Sequence, residues 1–165
     1  MTRKFLIDNN IWAGHEKDYQ PIVGFINKIL ADEDDIYSTR IIQMELLSFS
    51  EIETNNTIRD NREGYLLLCD EILEVDEQMI LKAAEIRRKA KLAGRSAPKG
   101  PDAMIAAAAI LHKLTLVSNN DRDFNWVQSK YELNYENPVI DKPGYKAFCD
   151  KYEEDKKKGL KVDYE

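Results

Sequence analysis

Cysteine, glycine and proline are all scarce in this chain. Its two cysteines, Cys69 and Cys149, make neither a disulfide framework nor a zinc site, so a reducing cytoplasm is the expected setting. Only 7 glycines and 5 prolines occur in 165 residues, which excludes collagen-like and low-complexity chains. No apolar run reaches the roughly 18 residues of a membrane span, and the longest, AMIAAAAIL at 103–111, is mostly alanine. No membrane partner is expected. The opening MTRKFLIDNN breaks its apolar stretch at Asp8, unlike a signal peptide. Neither GxGxxG nor GxxxxGK[ST] is present, so dinucleotide and P-loop chemistry are excluded.

What is present suits one folded domain. The chain is 43% hydrophobic and 33% charged, and at its length roughly two-thirds of the unfolded surface can be buried. The net charge of −6 argues against a polyanionic partner, but it is unevenly spread. Residues 1–75 hold 7 basic and 15 acidic side chains, whereas residues 76–125 hold 9 and 6. Within 82–99 stand seven cations (Lys82, Arg87, Arg88, Lys89, Lys91, Arg95, Lys99) and one acid, Glu85. Such a stretch is either a solvated helix face or a local edge for a polyanion.

Hydrophobic spacing predicts short strands alternating with helices. RKFLI at 3–7 reads as a strand stopped by a polar turn, Asp8-Asn9-Asn10. Helices are expected over about 19–30, from Thr39 through Leu47, over 57–69 and over 77–93, with strands at 36–38 and 71–75. Gly94 closes the fourth helix, and Pro101-Asp102 suits the first turn of the next, which runs to about His112. A strand at 114–117, a helix over about 121–128, a loop or strand at 131–140 and a charged terminal helix with a frayed tail complete the pattern. This is α/β with a parallel sheet covered on both faces.

In open parallel sheets ligands bind beyond the carboxyl ends of the strands. Asp8 follows the first strand there, and Asn120, Asp121 and Asp123 follow the 114–117 strand. Asp102 opens the helix leading into that strand, and Glu45 sits among apolar neighbours, where an unpaired carboxylate is costly. Taken singly, each has a plainer reading. Asp8 could serve the turn, Asp102 and Asp121 could serve helix starts, Asp123 could be solvated, and Glu45 could pair with Arg40.

Together these segments resemble the motifs of PIN domains, in family order. FLIDNNIW (5–12) is similar to the first motif, RIIQMELLS (40–48) to the second, PDAMIAAAAI (101–110) to the third and LVSNNDRDF (116–124) to the fourth. The spacing resembles that of bacterial VapC-type toxins. That resemblance implies a three-layer α/β/α sandwich with a short central parallel sheet, and a metal-dependent endoribonuclease using Mg²⁺ or Mn²⁺. It aligns Asp8, Glu45 and Asp102 with the acidic core and Asn120 with the fourth position, with Asp121 and Asp123 as alternative ligands. Asn10 and Ser118 align with polar residues that orient ligands and water. A structured RNA substrate, a small antitoxin protein and a homodimer are the implied partners. Asn9 stands where Thr is common, and Asn120 where Asp is frequent. The resemblance spans residues 4–124, so 1–130 is expected as the nuclease domain and 131–165 as a charged C-terminal extension.

The chemistry is consistent with this on its own terms. Phosphodiester hydrolysis needs a water made nucleophilic at neutral pH and relief of charge on the phosphate, and a hard divalent ion held by carboxylates supplies both. His15 and His112 are too few for a histidine-based ribonuclease. With Asp102 close by in sequence, Arg87, Arg88, Arg95 and Lys99 become candidates for holding RNA phosphates. Trp12 and Phe124 read as core residues rather than base-stacking platforms. Two rival readings are a non-catalytic metal- or RNA-binding module and a receiver-like signalling domain. The latter fits less well, because it expects adjacent acids after its first strand.

Overall fold

Parallel strands are buried on both faces, so they need continuous apolar runs rather than alternation. Phe5, Leu6 and Ile7 meet that requirement, as do Leu116 and Val117, all nearly inaccessible to solvent. The protein, a computed structural model describing residues 1–159, has five strands: β1 (Lys4–Ile7), β2 (Asp35–Thr39), β3 (Glu71–Leu73), β4 (Thr115–Val117) and β5 (Asn134–Glu136). They form one all-parallel sheet in the order β3-β2-β1-β4-β5. Eight α-helices complete a three-layer α/β/α sandwich among the described residues: α1 (Asn9–Glu16), α2 (Gln20–Ala31), α3 (Arg40–Leu47), α4 (Asn56–Leu68), α5 (Glu77–Leu92), α6 (Gly100–Leu111), α7 (Asp121–Lys130) and α8 (Lys142–Lys157). None of these helices is long and apolar enough to cross a membrane.

The helix boundaries follow from their caps. Thr39 accepts the amide of Ile42, Asn55 that of Ile58 and Asp76 that of Met79. Gly94 closes α5 with φ +73°, a conformation that suits a residue without a β-carbon. The alanines of α6 earn their place by size. Ala103 and Ala106–Ala109 are essentially inaccessible, which lets this helix lie close to α5, α3 and β4.

One element departs from the sequence reading. The polar triplet after β1 is the start of α1 rather than a turn. Asp8 caps it, its Oδ1 accepting the Asn9 amide at 2.8 Å, and Ile11 and Trp12 face the core. A side chain bonding a local amide serves turns and helix starts alike, and only tertiary burial separates the two. His15, which lacked an assignment, lies in this helix with its Nδ1 2.8 Å from the Tyr65 hydroxyl.

Residues 131–159 belong to the same body. β5 pairs with β4, and α8 lays Tyr145 and Phe148 on Tyr19, with ring centroids 4.6 and 5.1 Å apart. Gly14 makes room for this. A β-carbon there would meet the Ile22 Cδ1 at 2.3 Å and the Tyr145 hydroxyl at 3.0 Å. The anticipated frayed tail falls on 160–165, outside the described residues.

Candidate active site

β1 and β4 are neighbours, yet the chain leaves β1 toward β2 on one side and β4 toward β5 on the other. Their adjacent carboxyl ends are therefore a topological switch point, where an open parallel sheet leaves a crevice. Asp8 stands at the end of β1, its amide bonded to the Val117 carbonyl at 2.9 Å. Ser118 follows β4 and donates its hydroxyl to Asp8 Oδ2 at 2.7 Å. Asn10 donates to that hydroxyl at 2.9 Å and accepts the Asn119 amide at 3.0 Å. Both Asp8 oxygens thus have donors, but neither donor carries charge.

Three further acids share the crevice. Glu45 lies midway along α3, half-buried, while its apolar neighbours Met44 and Leu47 are 51% and 41% exposed. A helix that turns its carboxylate inward and its methionine outward is arranged around that carboxylate. The helix is also pinned. Arg62, buried in α4, bonds the Leu46 carbonyl at 2.8 Å and Glu16 at 3.1 Å. Asp102 occupies the first turn of α6 and Asp123 that of α7, where Asn120 caps the helix by accepting the Asp123 amide at 3.4 Å.

Burial and mutual repulsion dominate the electrostatics. Asp8 is pushed up to about 6 by burial, against the Ser118 and Asn9 hydrogen bonds, with the negative charge of Asp102 adding to the rise. Glu45 is raised to about 7 by burial and by the charges of Asp8 and Asp102. Asp102 is raised by burial and by Asp123, with Lys99 opposing. Asp8 and Glu45 both feel the charge of Asp102, which in turn feels Asp123, and Lys99 opposes the rise at Asp102. The pairing of Glu45 with Arg40 does not occur, because Arg40 extends to Glu74 at 2.6 Å.

A family model described as PIN domain matches residues 5–129. The chain belongs to the PIN domain family. No curated protein matches it in sequence. Among solved structures, this PIN domain is similar in fold to a chain of FitAB bound to an IR36 DNA fragment, with TM-score 0.67, 22% identity, and coverage of 81% of this chain and 94% of that one. It is also similar to a chain of DNA-bound VapBC from Salmonella typhimurium, with TM-score 0.64, 23% identity and coverage of 84% and 100%. A third is a chain of VapBC2 from Rickettsia felis bound to a promoter DNA fragment, with TM-score 0.63, 19% identity and coverage of 81% and 98%.

The PIN crevice opens two ways. A cavity of about 400 Å³ is lined by Asp102, Asn120 and Asp123 together with Lys99 and Arg122. Another of about 350 Å³ exposes Asn9 and Glu45 beside Phe49, Arg62 and Lys156. Asn9 Oδ1 is buried there without a hydrogen-bond partner. Among the described residues no three His, Cys, Asp or Glu side chains are placed to hold a metal ion as they stand. A magnesium-like cation is still compatible with the site. It keeps several waters and takes only one or two carboxylates directly, and the donors here are oxygens with uncompensated charge and one orphaned amide oxygen.

The remaining sequence candidates separate. Asp121 is turned to other partners: its Oδ1 accepts from Tyr135 at 2.6 Å and Asn137 at 2.9 Å, and its Oδ2 pairs with Lys142 at 2.6 Å. Burial would raise its pKa, but those three donors hold it at about 2. Arg87 spends its Nε on the Pro98 carbonyl at 3.0 Å, and Arg95 bonds the Arg122 carbonyl at 2.7 Å while lying over Trp126. These two arginines hold backbone carbonyls of segments that flank the larger cavity and do not line it themselves. Arg88 lies elsewhere on α5, beside Ala84 and Lys91. Lys99 lines the cavity, and sequence reasoning missed its neighbour Arg122, which is exposed and shares the fourth motif. Trp12 and Phe124 are core residues, 1% and 0% exposed.

Proposed function

We propose that this PIN domain is a metal-dependent endoribonuclease, the toxin of a toxin–antitoxin pair. The observation that carries the reading is the crowding of Asp8, Glu45, Asp102 and Asp123 beyond the strand ends, with Lys99 the one cation that opposes the raised pKa of Asp102. Left to folding alone, such a cluster is a liability, since burial without counter-charge costs free energy. It suits a site that awaits a divalent ion. Mg²⁺ or Mn²⁺, taken directly by one or two of Asp8, Asp102, Glu45 and Asp123 and by the others through its waters, would supply neutralisation of phosphate charge and a water acidic enough to attack phosphorus. Ser118, itself held by Asn10, keeps Asp8 from rotating by donating to its Oδ2. Lys99 and Arg122 face the same cavity and bind the phosphates that flank the scissile bond. An acidic chain with so small a basic edge binds bulk RNA weakly, which favours a substrate selected by shape.

Partners follow the same logic. A concentrated negative crevice accepts an arginine or lysine in place of the ion, the chemistry by which a small antitoxin silences the site. Exposed apolar residues beside Glu45, Met44 and Leu47 on α3, offer surface for such a partner or for a second copy in a homodimer. The setting is the cytoplasm, where RNA is met. Cleavage of structured RNA by the purified chain with Mg²⁺, abolished by chelator and restored by added Mn²⁺, is the expected result. Intact RNA under all of these conditions would reject the enzyme and favour a binding module.

A further inference from the structure

The family match ends at residue 129, and the similar structures, covered almost entirely themselves, leave nearly a fifth of this chain unmatched. Residues beyond the family match touch the crevice through a continuous polar chain. Lys142, at the start of α8, reaches Asp121 Oδ2 at 2.6 Å and Asn119 Oδ1 at 3.1 Å. Asn137 donates one amide group to both Asn119 Oδ1 and Asp121 Oδ1, each at 2.9 Å. Tyr135, in β5, places its hydroxyl 2.6 Å from Asp121 Oδ1 and 2.9 Å from the Ser118 carbonyl. The Asn119 amide then donates to Asn10 Oδ1, Asn10 to Ser118, and Ser118 to Asp8. The loop after β4 is thus gripped from behind by three side chains outside the family match.

We infer that Asn137, with Tyr135 and Lys142, forms a positioning clamp that sets Asp8 through Asn119, Asn10 and Ser118. The physical reason lies in the loop itself. Ser118-Asn119-Asn120 leaves a strand of only three residues and must present one hydroxyl to Asp8 within hydrogen-bond tolerance. β4 alone is too short to fix that. Asp121 supplies the anchor. Its charge is neutralised by Lys142 and its oxygens are filled, so it holds the clamp and is spared for nothing else. Three fixed donors on one carboxylate and two on the Asn119 amide oxygen leave the loop little freedom. Groups behind metal-binding residues of this kind typically matter by roughly 10–100-fold in ion affinity or activity.

This inference rests on the proposed nuclease reading for its effect on turnover, but not for its effect on the loop. The test compares wild type with Asn137→Ala, Lys142→Met, Lys142→Arg and the exposed control Lys146→Met. Hydrogen exchange at the Asn119 amide is measured first, without metal or RNA. The clamp predicts faster exchange in Asn137→Ala and Lys142→Met, and no change in the control. Mn²⁺ affinity by calorimetry and RNA cleavage follow. The expected result is a fall of roughly tenfold in ion affinity and kcat in Asn137→Ala, with KM moved less than about twofold and partial rescue by Lys142→Arg. In an Asn10→Ala background the further loss from Asn137→Ala should vanish, since both act on the same chain. Unchanged Asn119 exchange overturns the clamp, whatever the activity. Altered exchange with full additivity against Asn10→Ala also overturns it, because the two would then act separately. Altered exchange in the variants, with a wild type that neither binds Mn²⁺ nor cuts RNA, leaves the clamp standing and rejects the nuclease.

Discussion

Asp8 and Asp121 follow neighbouring strands of one sheet and are the same residue type, yet their surroundings are opposite. Asp8 is almost wholly buried, receives only neutral donors and sits near other acids, so its carboxyl rises to about 6. Asp121 is met by Lys142, Tyr135 and Asn137 and falls to about 2. The difference separates a carboxylate that folding has already satisfied from one whose counter-charge is missing. Proximity to a strand end does not tell them apart. Charge balance does.

Activity is where the contrast should be widest. Asp8→Asn or Asp102→Asn should reduce Mg²⁺-dependent RNA cleavage by about a thousandfold or more, with circular dichroism unchanged. Asp121→Asn should lose far less, on the scale of the positioning effect. Equal losses in all three would erase the distinction. Retention of near-normal cleavage by either of the first two would remove the assigned roles.

Metal binding sharpens the comparison by another readout. Saturation with Mn²⁺ at about 100 times its dissociation constant should stabilise wild type by roughly 2.7 kcal/mol, a Tm rise of about 5–10 °C at this size. Asp8→Asn should show little of that rise, whereas Asp121→Asn should keep it. The ion must also displace protons from Asp8 and Glu45, so its apparent affinity should climb between about pH 5 and 8.

The same carboxyls set a pH dependence of opposite signs. Asp8 and Glu45 have folded values raised above ordinary ones, so between about pH 4 and 7 the folded chain holds protons that the unfolded chain has released. Stability therefore falls as pH rises through that window, and the penalty is complete above it. Removing the charge with Asp8→Asn should raise the metal-free Tm by a few degrees at pH 8, and the gain should disappear by pH 5. Asp121 runs the other way. Its folded value is depressed, so its contribution is present above about pH 4 and is lost as pH falls toward about 2. Asp121→Asn should lower Tm at pH 7 by about 2–4 °C, a modest effect because Lys142 is half exposed.

The smallest effects belong to the basic segment. Lys99→Gln and Arg122→Gln should each reduce the slope of log RNA affinity against log salt by about 0.7, while Arg88→Gln leaves it unchanged. Arg87→Gln and Arg95→Gln should affect stability more than salt dependence, since both guanidinium groups hold backbone carbonyls.

Much of this was legible in the sequence because it rests on local rules. The parallel strands, the caps at Thr39 and Asp76 and the alanine-rich α6 follow from spacing and composition, whereas the grouping of Asp8, Glu45 and Asp102 came from motifs that resemble those of PIN domains. What escaped depends on contacts between distant segments. Asp121 and Asp123 lie two apart on one helix turn, and only Tyr135, Asn137 and Lys142 decide which of them is occupied. Those three residues form no motif, and their partners stand 14 to 23 positions away. α1 was hidden for a related reason. Its first residues favour turns, and its helical state is secured by burying Ile11 and Trp12.

The central place of β1 also bears on how the chain is made. Asp8 emerges from the ribosome early, but the serine that holds it follows 110 residues later, and β4 must enter the sheet beside β1 before the two can meet. At roughly 5–20 residues per second, about 5–20 s of synthesis separate them. Throughout that interval the nascent chain carries its first acid without its partners. The order of translation thus keeps the crevice unassembled at least until β4 and Ser118 have been made.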